Sequence, residues 1–117
     1  MGIFRDASIT WDGTTYDFVP SLALLRKIER GRPGEGSVSL IAVQQSASSG
    51  APNLPLMCQV ISDVMHYAGA ADFTDEVVYQ EAMTGDTGAV IALWYEIYTS
   101  LSPVPKEQKK ADAPEGK

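Results

Sequence analysis

A chain of 117 residues with 44% apolar content has room for one domain around a modest core, and nothing in its length or composition calls for a second. Its net charge of −6 is unevenly spread: Arg26, Lys27, Arg30 and Arg32 cluster, and from Gly34 to Pro103 the only charges are Glu35, Asp63, Asp72, Asp75, Glu76, Glu81, Asp86 and Glu96. That pattern argues against nucleic-acid binding, which needs clustered cations on the phosphates. The absence of an apolar run of roughly 18 to 20 residues and of a signal-peptide pattern argues against a membrane partner and points to the cytoplasm.

Residues 6–19, DASITWDGTTYDFV, set two β-rich segments on either side of Asp12-Gly13, a pair suited to the positive φ angles of a tight hairpin turn. Alternation places Ile9, Trp11, Tyr16 and Phe18 on the apolar face and Thr10, Thr14 and Asp17 on the solvated one. An isolated two-stranded ribbon is marginal in water, so these rings need a surface to rest on.

Pro20-Ser21 then opens a helix in which Leu22, Leu25 and Ile28 form a stripe widened by Leu24, with Gly31 as its stop. The cations at its last turn complement the helix dipole. Ser37 is read as the cap of a short helix reaching about Gln45, although VSLIAV also suits a buried strand. After the small-residue loop SASSGAPN, Asn53 caps a helix carrying Leu54, Met57, Ile61, Val64 and Ala68 at steps of three and four, with Cys58 and Met65 adjoining and Gly69 at its end. Thr74 caps a further helix over 75–83, closed by Gly85, whose first turn holds Asp75 and Glu76. The last helix, 87–100, aligns Val90, Trp94, Ile97 and Leu101, with Ile91 and Tyr98 beside them. Residues 103–117, polar and interrupted by proline, read as a disordered charged tail. The expected fold is therefore α+β and mostly helical: one domain over 1–102, with an N-terminal β-hairpin packed on a small bundle of four to five helices.

No constellation for chemistry emerges. His66 follows Asp63 by three residues on about one helix face, yet no serine, nor Cys58, sits in a strained-turn motif such as G-x-S-x-G. His66 reads instead as complementing the end of its helix. A single cysteine allows neither an internal disulfide nor a structural zinc site, and Cys58 reads as a small buried apolar residue. There is no EF-hand loop and no H-E-x-x-H pair, and Gly31, Gly34 and Gly36 follow a helix and lack a Gly-Lys-Ser/Thr ending. No catalytic, cofactor or metal site is expected, and the chain reads as a non-enzymatic binding protein. Its methionines and aromatic residues exceed what a small bundle obviously buries. The candidate protein-binding surface comprises Arg26, Lys27, Arg30, Arg32, Met57, Met65, Asp72, Asp75, Glu76, Trp94 and Tyr98.

The order FRDASITWDGTTYDFVPSLALLRKIERG, short helices, AGAADFTDEVVYQEAM and a terminal WYEIYTSLSP resembles the tail assembly chaperones of long-tailed phages and gene transfer agents, small proteins encoded just before the tape measure protein. The resemblance spans about residues 4–103 and rests on a strand–turn–strand, a Pro-Ser, a leucine-bearing helix and an Ile-Glu-x-Gly stop. It implies binding and solubilisation of the tape measure protein, help in polymerising the tail tube protein around it, and action in the host cytoplasm without retention in the mature virion. The polarised charge also suggests self-association, the basic end of one copy meeting the acidic surface of the next. A tail-completion or head-tail connector protein and a small bacterial adaptor are the competing readings.

Overall fold

The computed structural model describes residues 3–103, so the expected tail lies outside the described residues apart from Pro103. The fold is α+β: a two-stranded antiparallel hairpin, β1 (Ala7–Trp11) and β2 (Thr14–Phe18), is followed by five helices, α1 (Leu22–Arg30), α2 (Leu40–Ser48), α3 (Leu54–Tyr67), α4 (Asp75–Thr84) and α5 (Thr87–Ser100). Among these residues no helix is long and apolar enough to cross a membrane.

Asp12 and Gly13 make the hairpin turn with φ angles of 50° and 81°, the pair of left-handed residues that matches the twist of the flanking strands. The register sets Ile9 opposite Tyr16, Ala7 opposite Phe18 and Trp11 opposite Thr14, which keeps the apolar residues on one face and places Thr14, expected on the solvated face, on that same side because it alternates in step with Tyr16 and Phe18. Ile9 and Phe18 are buried, while on the other face Ser8 donates to Asp17 at 2.6 Å and the hydroxyls of Thr10 and Thr15 meet at 2.9 Å. Two edge-on aromatic contacts seat the ribbon: Trp11 on Phe73 at 5.2 Å between ring centroids, and Phe18 on Tyr67 at 6.1 Å.

In α1, the Ser21 hydroxyl accepts the Leu24 N–H and the buried pair is Leu24 and Ile28. Leu22, expected on the core stripe, is instead exposed. Two adjacent stripes share Ile28, and spacing alone does not choose between them. Gly31, at φ 82°, ends the helix where a Cβ would fall 1.9 Å from the carbonyl oxygen of Gly36. That close crossing turns the chain back along α1, where Val38 N–H donates to the Glu29 carbonyl and Glu29 Oε2 accepts the Leu40 N–H. Val38 is thereby held ahead of the next helix, so α2 starts at Leu40 under a Ser39 cap, rather than after Ser37, and runs to Ser48 through residues expected as loop.

α3 is the central element. Asn53 caps it, and Met57 through Ser62, Val64 and Met65 are all buried, far more than one helical stripe. α4 packs on α3 through Val78 and Ala82 under a Thr74 cap, and α5 closes the core with Val90, Leu93, Trp94 and Ile97.

Candidate protein-binding surfaces

The basic cluster of the sequence is divided by the fold. Arg32, just beyond α1, reaches both carboxylates that follow it in space: its guanidinium donates to Asp75 at 2.7 and 3.0 Å and to Asp63 at 2.8 Å. One fork thus ties the loop after α1 to the middle of α3 and the first turn of α4. The Asp75 hydrogen bond, and after it Asp63, hold the guanidinium more firmly protonated against the opposing effect of burial. Arg32 and Asp75 are therefore paired with each other within the fold, each with about a third of its side chain still in solvent. Arg26, Lys27 and Arg30 are exposed on α1, and the two ion pairs among the described residues both belong to Arg32.

Three other members of the expected surface are interior. Met57, Met65 and Trp94 are fully buried. The methionines are enclosed because α3 has neighbours on several sides. Trp94 goes inside because its indole N–H finds a partner there, the Gln44 side chain at 2.8 Å, which removes the cost of burying an unpaired donor. Tyr98 stacks on Trp94 at 5.9 Å between centroids and is half-buried. Asp72 and Glu76 are exposed.

Outward-facing apolar residues sit elsewhere. On α4, Glu76, Tyr79 and Met83 follow one another at helical spacing along one flank of the buried edge formed by Val78 and Ala82; Tyr79 is 44% and Met83 55% exposed. Tyr79 was not foreseen in any surface, though a signal for it exists: the apolar residues of 77–83 go round the helix further than one buried edge can use. On the opposite flank of α4, Val77, Gln80, Glu81 and Thr84 line a groove of about 540 Å³ shared with Thr10, Trp11 and Asp12 of the hairpin and with Gly85, Ala89 and Leu93. Its lining is mostly polar, with Trp11 and Val77 as the main apolar contacts, two carboxylates and no cation. Glu81 is fixed there because its Oε2 accepts the Asp86 N–H at 3.0 Å.

The side chains that carry chemistry are kept apart. Asp63 faces Arg32, whereas His66 Nε2 bonds to the Phe73 carbonyl, so the ring nitrogen donates and no Asp–His relay forms. Burial, helped by the nearby Asp75 charge, pushes the Cys58 thiol up to about 11, which leaves it neutral at physiological pH. Among the described residues no group of three or more His, Cys, Asp and Glu side chains is gathered so as to hold a metal ion. What the surface offers instead is apolar contact flanked by negative charge. No family model, no curated protein and no solved structure matches the chain.

Proposed function

We propose that this chain is a non-enzymatic tail assembly chaperone of a long-tailed phage or related particle, acting in the host cytoplasm on the tape measure protein while tail tube subunits polymerise. The reading combines the resemblance of residues 4–103 with one structural observation that carries it: the Tyr79–Met83 stripe of α4, exposed next to Glu76 in a stretch without Lys or Arg. A long helical client with lysines beside an apolar ridge fits such a stripe, apolar against apolar and ammonium against carboxylate. Asp72, at the entry to α4, extends the negative rim.

Co-expression with the adjacent long helical open reading frame tests this directly. The expected result is co-purification and a rise in the soluble fraction of the client, both lost in Tyr79→Asp/Met83→Asp with the circular dichroism spectrum unchanged. A client that stays insoluble and unbound overturns the proposal, and so does retention of the chain in purified virions, which is the behaviour of a connector.

A further inference from the structure

Two surfaces of the same chain complement each other and come from different elements. On α1, Leu22, Arg26 and Arg30 recur every four residues along one face. Leu22 is 51% exposed and both arginines are exposed, with no ion pair to either among the described residues. The groove beside the hairpin turn presents the converse: within a mostly polar lining Trp11 and Val77 supply apolar contact, Asp12 and Glu81 supply negative charge, and no residue of α1 takes part.

We propose that the groove receives the exposed face of α1 from a second copy of this chain, with Leu22 against Trp11 and Val77 and Arg26 and Arg30 toward Asp12 and Glu81. Charge complementarity selects this occupant. The groove lacks any cation of its own, and α1 holds three of the cations that the described part of the chain leaves outside the Arg32 clamp. Because donor face and acceptor groove are different patches, the contact is heterologous: each copy gives α1 to one neighbour and its groove to another, so the assembly grows as a row unless its rotation closes a ring. The groove flank of α4, at Val77, Glu81 and Thr84, is not the flank that bears Tyr79 and Met83. A row built this way keeps every Tyr79–Met83 stripe open. The inference stands whether or not the client is a tape measure protein.

The full-length chain tests it in light scattering and sedimentation velocity. The wild type is expected to form species larger than one chain at about 0.05 M salt and to lose them at about 0.5 M, where the screening length shrinks to a few ångströms. Arg26→Glu/Arg30→Glu sets carboxylates against carboxylates and should weaken association by more than about tenfold. Gln80→Lys/Thr84→Lys, two exposed groove positions that leave the Glu81 cap intact, should do the same from the other side. Mixing the two variants pairs the intact basic α1 of the groove variant with the intact acidic groove of the α1 variant, which restores one wild-type contact, and a species of at least two chains should appear that neither variant forms alone. A wild type of one-chain mass at low salt overturns the proposal, as do variants whose association is unchanged or a mixture that stays dissociated while both partners are folded by circular dichroism.

Discussion

α3 and α4 lie against each other and draw on the same residue types, yet one is consumed by the interior and the other is largely surface. α3 buries Met57 and Met65; α4 leaves Met83 and Tyr79 in solvent and commits only Val78 and Ala82 to the core. The difference lies in their neighbours. α1, α4 and α5 pack on α3, whereas α4 packs chiefly on α3 and α5 and faces the hairpin only across an open groove. Apolar content therefore does not tell core from interface on a helix; the number of elements packed around it does.

The largest test of that distinction is truncation. Met65→Ala, which empties a fully buried site, should lower the unfolding free energy by about 2–5 kcal/mol, while Met83→Ala should change it by less than about 0.5 kcal/mol. Urea titrations followed by circular dichroism measure both. Equal losses would mean that Met83 is packed as tightly as Met65, and the α4 stripe would lose its claim to be a contact surface.

A similar contrast, smaller in scale, separates two arginines only two positions apart. Arg32 pins the loop after α1 to Asp63 and Asp75 with a third of its side chain still in solvent, so Arg32→Ala should cost about 1–2 kcal/mol. Arg30→Ala, on the open face of α1, should stay within about 0.5 kcal/mol. Arg32→Lys sharpens the comparison, because an ammonium cannot serve both carboxylates with the planar fork; it should recover less than half of the loss in the same titrations.

These contrasts also show where the sequence was readable. The hairpin turn, the Ser21, Asn53 and Thr74 caps and the bounds of α5 follow from chemistry that acts within a few residues, and they stand where the local pattern puts them. The start of α2 does not, because the Glu29 carbonyl and side chain, brought close by the Gly31–Gly36 crossing, hold Val38 and Leu40 from outside the segment. The candidate surface was read less well for the same reason. Arg32 meets partners 31 and 43 residues away, and Trp94 meets Gln44 across 50 residues. No local pattern encodes those meetings. Arg26, Lys27, Arg30, Asp72 and Glu76, whose exposure depends only on their own helices and turns, sit at the surface.

The smallest effect concerns the one thiol, and it reports on how completely α3 is closed. Cys58 is buried beside Met57, and burial together with the Asp75 charge raises its pKa from 9.0 to about 11. In the unfolded chain the thiol ionises at the lower value, so between the two the unfolded state sheds a proton that the folded state keeps. The stability this group contributes is therefore full below pH 9 and declines as pH rises toward 11. Cys58→Ala should remove that part of the alkaline decline and leave the rest, which is visible as a shallower fall of the urea midpoint above pH 9 than in the wild type. Iodoacetamide at neutral pH offers an independent reading: the native protein should react far more slowly than the chain in urea, because alkylation needs a thiolate that solvent can reach. Equal rates would show α3 opening toward solvent at the place where α4 covers it. In that event the enclosure of α3, on which its contrast with α4 rests, would have to be given up.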